Sequence, residues 1–393
     1  MKPHILVVSE FWPPDPGGMA TYAAEIIPRL GKMGFEITLL IPENKKLQRI
    51  EANSQNVRAY FFPSPPIHFL GRFTIFPALL FHGNLRKISA IVDISVAPYG
   101  GVTSKFAKLL KVPHIIGAHG NEVSRLYPGL GMSRTFRNYC ISAYRNAAVI
   151  VPNSSFTASL FEPFEVEKSR IKVITLGANV DFYTPGSPTE EELSAVAGKA
   201  SFPRLLCAAQ LNKTKGQEGL IRALPAIIEQ FPETSLDIAG SGPLLSFYQK
   251  LANELNISDR IRFHGHLTPT KLRTLFRICD VTVLPTPRDS IHNEGFGLVA
   301  AEALACGCPV AASDYGGQTE FIKNGKTGIL FDAKNPVAIA DAVANILRDT
   351  SLRNSIKTTG PEVIARNYTW DLAAERWGTL LEQVIAGSSR RKK

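Results

Sequence analysis

A chain of 393 residues is two to three times the ~150 residues of a typical domain, so two domains are expected, each large enough to bury a core. Hydrophobic residues at 45% and charged residues at 20% are ordinary globular usage, which excludes disorder, collagen-like repeats and coiled coil as the main architecture. The formal charge of +10 is unevenly spread: residues 1–180 hold 20 Lys and Arg against 11 Asp and Glu, and the remainder holds 24 against 23, so the front half is the basic half.

In chain order, strands are expected over 4–9, 36–41, 91–97, 114–118, 148–152 and 172–176, with helices over 19–32, 102–110 and 132–146. The strand runs are apolar almost throughout, as in a parallel sheet covered on both faces, and their alternation with helices is the doubly wound α/β pattern. From Asp181 the order breaks into Thr184-Pro185-Gly186-Ser187-Pro188 and the acidic Glu190-Glu191-Glu192, which reads as a linker. A second series follows, with strands over 204–210, 235–239, 261–264, 281–285, 309–312 and 328–331 and helices over 217–230, 244–254, 271–277, 298–305 and 337–348. The expectation is therefore an α/β protein of two tandem doubly wound Rossmann-like domains, with ligands at the carboxyl ends of the strands and in a cleft between the domains.

The longest strongly apolar patch, 73–81, contains Pro77 and falls well short of the ~20 residues of a membrane span. Residues 5–8 are too short a run for a signal peptide, so a cytoplasmic location is expected. The five cysteines, Cys140, Cys207, Cys279, Cys306 and Cys308, suit buried thiols better than a disulfide framework. Cys306 and Cys308 have no second pair at zinc-site spacing. His264 and His266 lack an acidic partner at ligand spacing, and there is no D-x-D triplet to hold a divalent ion on a diphosphate, so no metal is expected.

Several stretches can carry chemistry. Gly17-Gly18 follows the first strand and opens a helix, as an anion-binding turn or simply as a tight one. His119, in His119-Gly120-Asn121-Glu122, stands at the carboxyl end of its strand. Lys215, just before a helix, reads as a phosphate partner or as a solvated loop lysine. Gly240-Ser241-Gly242 lacks the third glycine of a dinucleotide fingerprint, because Leu245 stands there, and reads as a structural turn. The strongest signal is Glu294-Gly295-Phe296-Gly297-Leu298, which runs into an Ala-rich helix carrying Glu302. The free N–H groups of that helix start and two carboxylates, which accept from hydroxyls, together suit a sugar and its phosphates. Helical side chains tilt toward the N-terminus, which returns Glu302 toward the loop.

The ordered set resembles the retaining glycosyltransferases of family four over essentially the whole chain. The resemblance runs through Gly17-Gly18, His119-Gly120-x-Glu122, Pro152-Asn153-Ser154, Gly177-x-Asn179-Val180-Asp181, Lys215-Gly216 and Gly240-x-Gly242-Pro243. It continues through Phe263-x-Gly265, Glu294…Glu302, Gly307-x-Pro309-Val310 and Gly316-Gly317-x-x-Glu320 to Tyr368-Thr369-Trp370. It implies the GT-B fold, with an acceptor domain at 1–182 rejoined by a last helix at 370–393, and a donor domain at 183–369. It also implies transfer of a hexose from a nucleotide diphosphosugar, UDP-glucose slightly before GDP-mannose, to a glycan or lipid-linked glycan, without a metal or other cofactor. Cell-surface polysaccharide or glycolipid assembly is the setting it suggests.

By the same resemblance, Glu302 would hold the ribose, while Glu294 and the backbone of Gly295, Phe296, Gly297 and Leu298 would hold the transferred sugar and diphosphate. Lys215 would pair with the diphosphate, His119 would meet the sugar, Gly17 and Gly18 would approach the phosphates, and the base would lie near Gly265, His266 and Leu267. Where the family pattern has Arg, this chain has Gln210, which keeps hydrogen bonding but loses the charged fork; Arg288 is a candidate substitute. The basic half and the aromatics Tyr60, Phe61, Phe62, Phe69, Phe73, Phe76 and Phe81 suggest peripheral contact with an anionic membrane face, or equally a buried helix and loop; no nucleic acid is expected. The competing functions are a nucleotide-sugar-binding protein without transfer, and an epimerase or phosphorylase of the same fold.

Overall fold

A computed structural model describes residues 3–15, 17–43, 54–63, 68–82, 87–130, 132–196, 202–288 and 294–390. It divides into two compact units, Met1–Leu176 with Trp370–Lys393, and Gly177–Thr369. Residues 177–182, expected with the first unit, belong to the second. Ala178 N donates to Tyr368 O at 2.9 Å, and Tyr183 N to Asn179 O at 2.7 Å, so this stretch is tied to the end of the second unit.

The first unit is a six-stranded parallel sheet of β1 (His4–Val8), β2 (Glu36–Glu43), β3 (Val57–Pro63), β4 (Ile88–Asp93), β5 (His114–Ala118) and β6 (Val149–Pro152), in the order β3-β2-β1-β4-β5-β6. All five residues of β1 are buried, because helices cover both faces. Separate apolar clusters include Leu6, Val8, Ile75 and Phe106 in one, and Ile116, Cys140, Tyr144 and Phe161 in the other.

The second unit repeats the plan with β7 (Arg204–Ala208), β8 (Ser235–Ala239), β9 (Ile261–Gly265), β10 (Val281–Leu284), β11 (Val310–Ser313) and β12 (Ile329–Phe331), in the order β12-β11-β10-β7-β8-β9. In each sheet the order reverses once, between β1 and β4 and between β7 and β10. Loops leave those paired ends in opposite directions and open a crevice there.

The doubly wound class is thus as expected, with local corrections. Strand β3 and the helix Thr350–Asn367 were not anticipated, while the aromatic stretch does contain a helix, His68–His82, as one of its two readings had it. The stretch 172–176 is not a strand. It lies extended beside β6, with Lys172 N donating to Ile150 O and Ile174 N to Pro152 O, but no further ladder forms. The acidic run read as linker is the helix Glu190–Ser194, capped reciprocally by Thr189 and Glu192. Glu192 also binds Arg273 at 2.6 Å, and Arg277 Nε donates to Thr184 O at 2.9 Å, so the segment is held against the helix Pro269–Ile278. All five cysteines are free and buried; burial pushes the Cys306 and Cys308 thiols up to about 12.

Candidate active site

The site residues of the second unit gather where β7 and β10 end. Asn212 side-chain Oδ1 accepts from Thr214 N and opens the short turn Lys213–Lys215. Gly216 follows with φ +71°, and a side chain there would meet Pro285 O at 1.9 Å. Only glycine allows the loop after β7 to lie that close to the end of β10. Across this contact Lys215 Nζ meets Glu294 Oε2 at 2.7 Å, with the two side chains 25% and 22% exposed. Two residues distant in sequence form a half-buried ion pair at the reversal point of the sheet.

Glu294 is held from its other side by the turn after β11. Gly317 N donates to Glu294 O at 2.8 Å, and a side chain on Gly317 would strike Gly295 O at 2.0 Å. Phe296 is 2% exposed and packs on Phe321 and Tyr368, with ring centroids 5.2 and 5.9 Å away. Its ring anchors the loop that leads into the helix Leu298–Ala305. Gly297 caps the helix Leu298–Ala305, with no side chain closing its first N–H groups. Glu302, in the second turn, accepts a hydrogen bond from Tyr183. Burial, and then the Glu302 charge, raise the Tyr183 phenol well above its ordinary value, so it stays a donor. Tyr183 had been read as linker; no local pattern marks it, because its partner lies on a distant helix.

Gln210 is exposed. Its carbonyl accepts from Gln217 Nε2 at 2.9 Å, and its side-chain oxygen from Asn212 Nδ2 at 3.5 Å. The Gly240-Ser241-Gly242 turn serves as packing: Leu211 N donates to Ser241 O, and Leu244 N to Leu211 O. Gly265, His266 and Leu267 stand at the end of β9, where Gly265 O accepts from Gly240 N at 2.7 Å and His266 is exposed. Arg288 is exposed, with its guanidinium carbon 5.5 Å from the Tyr315 ring centre rather than on the ion pair.

His264 does not approach a metal arrangement. Its Nε2 meets Asp237 Oδ1 at 2.5 Å, and Arg204 Nε meets Asp237 Oδ2 at 2.5 Å, inside the sheet. Burial alone would raise the Asp237 carboxyl, but the bonds from His264 and Arg204 prevail and hold it below its ordinary value.

In the first unit, Gly17 and Gly18 open the helix Gly18–Lys32, and among the described residues nothing lies within 4 Å of where a side chain on either would be. His119 Nε2 lies 2.9 Å from Ile94 O. A carbonyl only accepts, so Nε2 carries the proton and Nδ1 offers a lone pair. Burial lowers the His119 pKa, with Glu122 and Ile94 opposing, so the ring is neutral at pH 7. It packs edge-on to Tyr22 at 4.8 Å.

Comparison with known proteins gives the same two-part division. The family described as "Glycosyltransferase Family 4" matches residues 16–210, and that described as "Glycosyl transferases group 1" matches 189–363. A GDP-mannose-dependent alpha-(1-6)-phosphatidylinositol monomannoside mannosyltransferase of Mycobacterium tuberculosis is 26% identical, over 96% of this chain and 97% of the relative. A D-inositol 3-phosphate glycosyltransferase of Corynebacterium urealyticum is 28% identical, over 92% of this chain and 89% of the relative. The crystal structure of Anabaena HepE with UDP superposes with a TM-score of 0.79 at 19% identity, over 98% of this chain and 100% of that one. At that identity the likeness shows the fold alone.

Proposed function

The chain belongs to glycosyltransferase family 4, group 1 type, has the GT-B fold and is a hexosyltransferase, and from that premise we propose that it moves mannose from GDP-mannose to an inositol-containing glycolipid, retaining the anomeric configuration and using no metal. The sequence alone leaned to UDP-glucose. The name of the mycobacterial relative supports the mannosyl donor instead, and both names support an inositol-containing acceptor.

The Lys215–Glu294 pair carries this reading. In the free protein Glu294 neutralises Lys215. In the complex the ammonium turns to the diphosphate, and Glu294, released from it, accepts from hydroxyls of the transferred sugar. The charge that grows on the leaving diphosphate is met by Lys215 and by the free N–H groups at the start of the helix Leu298–Ala305, a preorganised device that needs no metal. Glu302, steadied by Tyr183, takes the ribose hydroxyls; Gly265, His266 and Leu267 border the base. In the first unit, His119 Nδ1 offers a lone pair to a hydroxyl, and Gly17 and Gly18 leave room for an anion at the start of their helix. The leaving diphosphate takes the acceptor proton on the same face.

The test is transfer from GDP-mannose to phosphatidylinositol monomannoside in mixed vesicles, with and without EDTA. Lys215→Ala and Glu294→Gln are each expected to lower kcat by about 10²–10³-fold with melting unchanged, the size of losing one transition-state donor. Folded variants with full turnover would overturn the reading. Donor binding without transfer to any acceptor would favour a nucleotide-sugar-binding protein.

A further inference from the structure

Glu122 belongs to the motif that contains His119, yet the donor site leaves it without a task. Its Oε1 accepts from His119 N, which folds the loop after β5. Its Oε2 is buried and has no hydrogen-bond partner among the described residues. The Tyr144 hydroxyl, on a fully buried ring that feels the Glu122 charge, has none either. A buried carboxylate oxygen without a donor is costly, so such an atom at a strand's carboxyl end marks the place of a missing donor.

A second carboxyl stands beside it. Glu10, two residues past β1, is hydrogen-bonded to Ser95, two residues past β4, so the two side chains span the reversal point of the first sheet. Ser95 Oγ also donates to Ala97 O at 3.1 Å. Burial first, then the Glu122 and Asp15 charges, push the Glu10 carboxyl up to about 8, against the smaller pull of Ser95 and Arg125; the Cys140 thiol also faces it.

We propose that Glu122 and Glu10 form the hydroxyl-binding site of the first unit: Glu122 Oε2 accepts from a hydroxyl of a sugar or cyclitol acceptor, and Glu10, tied to Ser95, positions it. This rests on the transferase reading above and adds the residues that grip the acceptor. Glu122 is the binding group. Glu10 is a positioning residue, whose ionisation would set a second negative charge beside Glu122.

The experiment measures acceptor KM, kcat and the donor-induced melting shift with GDP-mannose and phosphatidylinositol monomannoside vesicles. Glu122→Gln keeps an oxygen for His119 N and replaces only the unpartnered acceptor. It is expected to raise acceptor KM about tenfold to a hundredfold, the worth of a hydrogen bond to a charged group, with kcat and the donor shift unchanged. Glu10→Ala should raise KM and Glu10→Gln should restore it at pH 7. Wild-type KM should climb above pH 8, while Glu10→Gln stays flat. A folded Glu122→Gln with wild-type KM, or a Glu10→Gln as impaired as Glu10→Ala, would overturn the proposal. If the wild type binds donor but transfers nothing to this lipid, the acceptor assignment fails separately. Calorimetric titration with myo-inositol and methyl α-mannoside then decides: binding lost in Glu122→Gln supports the site, and equal binding or none in both proteins sinks it.

Discussion

Lys215 and Glu294 meet at 2.7 Å while Gln210, where the family carries an arginine, stays exposed with only Asn212 on its side-chain oxygen. A diphosphate bound there would meet one fixed cation fewer. Gln210→Arg should raise kcat/KM several-fold in steady-state assays with GDP-mannose, and a loss would show that the glutamine has its own role. Glu10 makes a prediction on stability. In the unfolded chain a glutamate titrates near 4.5, and in the fold Glu10 titrates near 8, so between these values the native state binds more protons. Stability due to Glu10 is fully present below the lower value and is lost as pH rises through the upper one, by about 1.4 kcal/mol per pH unit across the window. Melting curves of Glu10→Gln should match the wild type near pH 4.5 and gain on it steadily to pH 8. Parallel curves would contradict the assignment. Of these residues, Lys215, Glu294 and Glu302 were legible because their types and spacing form an ordered pattern. Tyr183 and Ser95 were not, because each acts through a partner remote in sequence that only the folded chain brings near.

The loops that carry the site are set by close backbone approach. Gly216→Ala would drive a Cβ into Pro285 O at a φ of +71°, so it should cost about 1–3 kcal/mol in denaturant unfolding and displace Lys215, lowering kcat in the same variant. A stable, fully active Gly216→Ala would show that the approach is dispensable. Strands such as β1 and β7 were readable because residues buried on both faces give unbroken apolar runs. The helix Thr350–Asn367 was hidden by Gly360-Pro361, which argue locally against helix. In the fold Gly360 sits against Leu304, and packing overrides propensity. The helix His68–His82 carries Pro77 in the middle of an apolar run and announces no cap or period. Residues 172–176 have strand composition but pair with β6 through two hydrogen bonds only.

Over the whole molecule, the basic excess lies in residues 1–180, and the same part exposes Phe76, Leu80 and Phe81 on the helix His68–His82 at 51%, 46% and 82%. Among the described residues no helix is long and apolar enough to cross a membrane. An apolar helix face on a basic unit suits peripheral contact with anionic lipid, where a lipid-linked acceptor would be found. The protein should float with phosphatidylinositol-rich liposomes at low salt, and Phe76→Ser with Phe81→Ser should abolish flotation without changing donor binding. Failure of the wild type to float would remove the membrane from the account. On the proposed function, the second unit holds a nucleotide diphosphosugar through Lys215, Glu294 and the start of the helix Leu298–Ala305. The most direct test of this is melting of the wild type and Lys215→Ala against GDP-, UDP- and ADP-sugars, with Mg²⁺ and with EDTA. A ligand that binds only the folded state raises the melting temperature by mass action. The expected result is a shift with GDP-mannose that is the same in Mg²⁺ and EDTA and is lost in Lys215→Ala; no shift with any nucleotide sugar, or one that requires the metal, would overturn this assignment.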